Sequence, residues 1–277
     1  MKKYRESIMK FVFLVAACIS IVAVAMICIF LFVNGLPAIA EIGPLKFLGG
    51  MVWKPQEGEF GILPMIIGSI YATGIAILVG VPIGLLCSIF MAHFCPKGLY
   101  KILKPAISLL AGIPSIVFGL FGFLAFVIAC KFGYSLLGGA ITMALMVLPL
   151  IMRTTEEALL SVPDSFREGS FGLGAGRLRT IFRIILPSAV PGILAGVILA
   201  IGRIVGETAA LMYTAGTSTD VCTGLLKPCR TLAVHMYQLL CEGKYMDAAY
   251  ATAVVLLVMV IVINALSSFV AKKLTKK

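Results

Sequence analysis

SAVPGILAGVILAIGRIVGETAALMYTA, residues 188–215, decides the fold. In 28 residues it carries only two charges, Arg203 and Glu207. A hydrocarbon core about 30 Å thick needs roughly 20 apolar residues in a helix, so this stretch predicts a membrane span. Five more runs of the same kind lie outside it, at 11–33, 62–94, 105–130, 135–152 and 248–271. The composition agrees. Of 277 residues, 61% are hydrophobic and 13% charged, and the mean hydropathy is +1.09. A soluble globular enzyme, a disordered chain, a collagen and a small disulfide-stapled protein are all excluded. The expectation is an all-α polytopic membrane protein with six transmembrane helices. The first run is too long for a cleaved signal peptide and reads as a retained helix.

The positive charge sets the orientation. The N-terminal segment has four Lys or Arg, the loop after the second run three, the 153–183 segment five and the tail four. The alternate segments hold only six in total. The positive-inside rule places the richer set, with both termini, in the cytoplasm. The net charge of +11 is then largely orientation charge beside lipid, with no nucleic-acid partner implied. Residues 1–60 form an N-terminal helix and outer loop, 61–271 the main membrane domain, and 272–277 a basic cytoplasmic tail.

Pro64, Pro82, Pro114, Pro149 and Pro191 fall within or at the ends of the runs, where helix breaks often line a pathway. Gly192 and Gly196 form a G-x-x-x-G pair that favours close helix contact. Of the eight cysteines, Cys18, Cys28, Cys87 and Cys130 sit in apolar runs as small hydrophobes. Cys222, Cys229 and Cys241 share one polar segment, and a Cys222–Cys229 bridge is left open. No C-x-x-C pair exists and His93 and His235 are far apart, so neither a metal site nor a cofactor is expected.

Residues 153–187 are the least membrane-like part of the chain. Glu156 and Glu157 begin a helix-forming run that Pro163 breaks. A second helix is predicted over 166–173, and a third, basic one over 177–185 that stops at Pro187. Such a knob could dock on a soluble partner. Its glycines do not make a nucleotide loop, because they follow a polar helix and lack the G-x-G-x-x-G spacing; no Walker A sequence occurs anywhere. Glu168-Gly169-Ser170, then three residues, Gly174, nine residues, Ile184, one residue and Leu186-Pro187 has the spacing of the EAA loop. The chain thereby resembles the permease subunits of ABC importers. The resemblance implies a MetI-like fold in which 153–187 couples to an ATPase subunit, so that the chain is a transport subunit and not an enzyme.

Arg203 and Glu207 stand four apart and would share one helix face. A lone Arg at mid-membrane costs at least about 2.5–3.5 kcal/mol. The pair reads either as a mutual salt bridge stapling helices or as a pathway site for an anion, since a guanidinium fork matches two oxygens of an oxyanion. Gly202-Arg203-Ile-Val-Gly206-Glu207-Thr208-Ala209 is similar to the signature of phosphate-specific permeases of the PstA and PstC type. So are Ala111-Gly112-Ile113-Pro114-Ser115, Arg153-Thr-Thr-Glu-Glu157 and Val162-Pro163-Asp164. The loop and Gly-Glu-Thr-Ala look more like PstA, Trp53-Lys54-Pro55 more like PstC, and the balance favours PstA.

The resemblance implies import of inorganic phosphate past Arg203, Glu207, Thr208, Pro114 and Ser115. The implied partners are a second homologous permease, an ABC ATPase dimer and an extracellular or periplasmic phosphate-binding protein, in the lipid of a bacterial or archaeal cell membrane. The alternatives are a sulfate or molybdate permease and an ion-gradient-driven secondary transporter. The outer segments 41–59 and 220–247 carry no motif, and Trp53 is expected as an anchor at the outer interface.

Overall fold

The computed structural model describes residues 2–275; the tail residues Lys276 and Lys277 lie outside the described residues. Twelve helices are described: α1 Lys2–Ile42, α2 Pro44–Gly49, α3 Leu63–Ile89, α4 Lys97–Ala111, α5 Ser115–Gly122, α6 Leu136–Leu160, α7 Asp164–Gly172, α8 Arg177–Thr180, α9 Leu186–Val205, α10 Ala209–Thr214, α11 Leu232–Glu242 and α12 Met246–Thr275. Wider π-helical turns extend α3 over Phe90–Phe94 and α5 over Phe123–Ala129, and join α8 to α9 over Ile181–Ile185. The one departure from all-helix is a two-residue hairpin, β1 Trp53–Lys54 against β2 Glu59–Phe60, closed by Gly58 at φ 74°.

Among the described residues, five helical segments are long and apolar enough to cross a membrane. The third expected run, 105–130, is not one straight helix. It divides into α4 and the α5 segment, 97° apart across Gly112-Ile113-Pro114. Pro114 has no N–H to continue α4, and its extended backbone (ψ 143°) turns the chain before α5 starts. Six spans result when this bent pair is taken as one.

Helix α6 is longer than the run at 135–152. Ser135 caps its start by accepting the Gly138 N–H at 3.2 Å, and it continues to Leu160, absorbing the expected separate run after Glu156. The basic helix does not stop at Pro187. The π-helical turn widens the helix just before that proline, where a regular turn would clash with its ring, so α8 runs on into α9.

The core lies where α6 packs between α3 and α9. Ala76, Met143, Val147, Ile151, Ala200 and Ile204 are buried there. Lipid tails are as apolar as leucine, so close packing and hydrogen bonds hold helices together in a bilayer. Small residues make that approach here. A Cβ on Gly192 would lie 2.7 Å from Ala158 Cβ, and Gly196 faces Thr154, so the G-x-x-x-G pair seats α9 on α6. Ser88 Oγ on α3 donates to the Met152 carbonyl of α6 at 2.9 Å.

Helices α1 and α12 pair at the periphery, where Gly35 admits Tyr250 and Val254. Trp53 does not stand free as an interface anchor. Its ring packs edge-on against His235 of α11 (centroids 4.2 Å apart) and against Phe60 (5.6 Å).

Candidate functional site

The 188–215 run is itself broken. Helix α9 ends at Val205, Gly206-Glu207-Thr208 is non-helical, and α10 begins at Ala209. Arg203 and Glu207 therefore do not share a continuous helix, and no ion pair within 4.0 Å joins them among the described residues. Glu207 instead turns forward, its Oε1 accepting the Ala210 N–H at 3.3 Å, so the carboxylate satisfies a free amide at the start of α10. Thr208 precedes α10 without a side-chain cap, and its carbonyl takes the Met212 N–H at 3.0 Å.

The helices that follow the two breaks are in contact. A Cβ on Gly119 of α5 would sit 2.7 Å from Ala210 Cα, and one on Gly122 would sit 2.8 Å from Thr214 Cγ2. The two short helices thus run parallel in contact. Before that contact each chain is non-helical, at Pro114 in one and Glu207-Thr208 in the other. Pro114 and Ser115 thus stand at the start of one of these helices and Glu207 and Thr208 just before the other, with Arg203 in the last turn of α9.

Arg203 stands on the outward stripe of α9 with Ala195 and Leu199, opposite the buried Ala189, Ile193, Gly196, Ala200 and Ile204. The sequence reading missed one neighbour, Asn264 of α12. Its Oδ1 is buried without a hydrogen-bond partner and lies 4.0 Å from where a Cβ on Gly202 would be. The signal was present as the sole amide inside an apolar run.

The 153–187 loop forms a hairpin of α7 and α8. Gly174 makes the turn at φ 80°, a left-handed conformation that a side chain strains. Ser170 and Thr180, both buried, hydrogen-bond across the hairpin at 2.8 Å. Glu168, Gly169 and Pro187 are exposed, Ile184 and Leu186 half-buried. No atom lies within 4 Å of a Cβ built on Gly169, so nothing within this chain requires glycine there. The tip presents Leu173, 91% exposed, with Phe166 and Phe171 also outward. Arg177 ties the hairpin to the end of α3, donating to the His93 carbonyl and lying 5.0 Å from the Phe94 ring centre. A cleft of about 510 Å³ opens there between His93, Arg167, Glu168 and Arg177.

Above this hairpin Glu156, 5% exposed, accepts from the Tyr100 hydroxyl and from Lys104 Nζ at 3.4 Å, joining α4 to α6. Among the described residues no cluster of three His, Cys, Asp or Glu forms a metal site.

Residues 80–277 match the family described as the binding-protein-dependent transport system inner membrane component. The chain is 36% identical over 236 residues to the probable ABC transporter permease protein YqgI of Bacillus subtilis, covering 78% of this chain and 80% of that protein. It is 29% identical to the phosphate transport system permease protein PstC of Mesorhizobium japonicum, covering 94% and 88% of the two chains. Its identity to PstA 2 of Mycobacterium bovis is 39%, over 64% of this chain and 58% of that one. Among solved structures, the permease fold of a bacterial alginate ABC transporter superposes with a TM-score of 0.70 at 16% identity, covering 95% and 96% of the chains. The MetNI methionine ABC transporter gives 0.66 at 18%, covering 81% and 100%. At these identities the superpositions establish the architecture alone.

Proposed function

We propose that this chain, which belongs to the family of binding-protein-dependent transport system inner membrane components, is the permease subunit through which inorganic phosphate crosses the cell membrane. The observation that carries the reading is Arg203. Its guanidinium is exposed on an apolar helix face and has no carboxylate within ion-pairing distance among the described residues. Left against lipid, it would cost at least about 2.5–3.5 kcal/mol. A second permease facing that stripe removes the cost by enclosing a polar route, and a passing oxyanion supplies the missing negative charge. Relatives named as phosphate permeases of both the PstC and PstA types support the choice of anion.

Pro114, Ser115, Glu207 and Thr208 mark the same route, where two helix breaks leave backbone groups free to face it. Family membership sets aside the ion-gradient-driven carrier. Within the assembly, 61–271 is the permease domain and 153–187 the segment that docks on an ABC ATPase dimer through Glu168, Gly169, Ser170, Gly174, Ile184, Leu186 and Pro187. A homologous second permease completes the pore, and a phosphate-binding protein delivers substrate from outside. ATP is hydrolysed by the partner, so this subunit performs transport and no catalysis of its own.

Phosphate uptake by the complete transporter tests the reading. Arg203→Ala lowers uptake about 10–100-fold, the loss of one charge-assisted contact of roughly 1.5–3 kcal/mol, while Arg203→Lys keeps part of it. Wild-type uptake by Arg203→Ala, or inhibition by sulfate or molybdate as strong as by unlabelled phosphate, overturns it.

A further inference from the structure

We propose that Cys222 and Cys229 form a disulfide on the outer side of the membrane, clamping the loop 215–231 that connects α10 to α11 and packs on the start of α6. The two residues are 7% and 1% exposed and pack into one small cluster with Ala72 and Leu136. The structure holds both as free thiols within that one cluster, seven residues apart in the chain. The chain between them is bent into place by a turn in which Lys227 N–H donates to the Gly224 carbonyl at 3.1 Å. That loop is pinned on both sides. Leu136 and Leu137 at the start of α6 donate to the carbonyls of Lys227 (2.9 Å) and Leu225 (2.8 Å), and Cys229 N–H donates to Ala215 at 3.0 Å. Gly68 of α3 leaves the space, since a Cβ there would lie 2.6 Å from Cys229 Sγ.

No other two cysteines share such a cluster. Cys18, Cys130 and Cys241 are exposed, and Cys28, Cys87 and Cys95 are half-buried. As thiols the two sulfurs have poor polar partners, the Gly224 carbonyl at 3.4 Å and the Arg230 carbonyl at 4.0 Å. Burial, and then Cys222, push the Cys229 thiol up to about 12, so in the folded chain it is not a ready nucleophile. Bond formation therefore belongs to the stage before the loop closes.

The oxidant is a disulfide-bearing protein of the outer compartment. The Cys222 thiolate, the more accessible of the two, attacks one oxidant sulfur and displaces the other as a thiolate. The Cys229 thiolate then attacks Cys222 Sγ in the mixed disulfide and displaces the oxidant. The oxidant leaves as a dithiol carrying the two electrons, and with them the two protons, lost by the cysteines. The proposal rests on the orientation adopted above, which puts 216–245 outside.

The test uses the transporter in native membranes, quenched in acid, denatured in SDS and alkylated with N-ethylmaleimide without reductant. Lys227 precedes Pro228, where trypsin cuts poorly, so both cysteines fall in the tryptic peptide 204–230. The expected peptide is unlabelled and two hydrogens lighter, gaining two labels only after reduction; Cys222→Ser leaves Cys229 to take one label without reductant. Two labels on the wild-type peptide without reductant overturn the disulfide. Labelling of Cys241 on intact cells by a membrane-impermeant maleimide reports the orientation separately, so failure of the bridge is distinguished from failure of the topology.

Discussion

Glu207 shows how far one side chain's role depends on its backbone. Spaced four from Arg203, it reads as a helix-face partner; in the fold it satisfies the first turn of α10. Glu207→Gln retains an acceptor oxygen for the Ala210 N–H and keeps the fold, whereas Glu207→Ala loses it at a cost of about 0.5–2 kcal/mol. Thermal unfolding of the two variants separates this role from a salt bridge with Arg203, which Gln would abolish as fully as Ala.

His235 is fully buried beneath Trp53, with Arg230 Nη1 3.2 Å from its Nδ1. Burial, and then the Arg230 guanidinium, hold its imidazole down to about 3 against an ordinary 6.5. Burial also lowers the Arg230 guanidinium, with Glu242 opposing. Between pH 6.5 and 3 the unfolded chain binds a proton that the folded chain refuses, so stability is complete above about pH 6.5 and falls as the pH drops. The Tm of the wild type should decline between pH 7 and pH 5 by more than that of His235→Phe.

Among the elements, α4 has the least to hold it. None of its residues is buried, and it leaves α5 at 97°. Its polar attachment is the Tyr100 and Lys104 contact to Glu156, a carboxylate that could not stay in the interior without a donor. Lys104 is 53% exposed and contributes little. Tyr100→Phe removes the buried donor at a cost of roughly 1–3 kcal/mol. Single cysteines along α4 should then become more reactive to maleimide; unchanged reactivity would mean that apolar contact alone holds the helix. Gly192→Val, which forces α9 away from Ala158, should lower stability more than the same change at the open Gly169.

For the whole molecule, the α7–α8 hairpin and the helix that ends at the 206–208 break form one continuous element. The hairpin is continuous with α9 through the π-helical turn and is fastened to α3 by Arg177. A push on its tip thus reaches Arg203 along a single helical rod, Arg177–Val205. Leu173 and Phe171 are exposed at that tip. A cysteine at Glu168 or Leu173 should cross-link to the ATPase subunit in the assembled transporter, and one at the outer Thr223 should not.

Much of this was legible in the chain, because the oil–water partition is local. Runs of apolar residues fix which segments are long enough to cross a membrane, and the 168–187 spacing and the Gly192/Gly196 pair identify the hairpin and its packed helix without knowledge of neighbours. The sequence could not say that Pro114 and Gly206 would break their spans while Pro82, Pro149, Pro187 and Pro191 would not. Whether a freed carbonyl is tolerated, or a charge is paired, depends on which helix lies alongside. That is why the tertiary structure alone separated Arg203 from Glu207, set α5 against α10, and buried Cys222 and Cys229 in one cluster with Ala72 and Leu136.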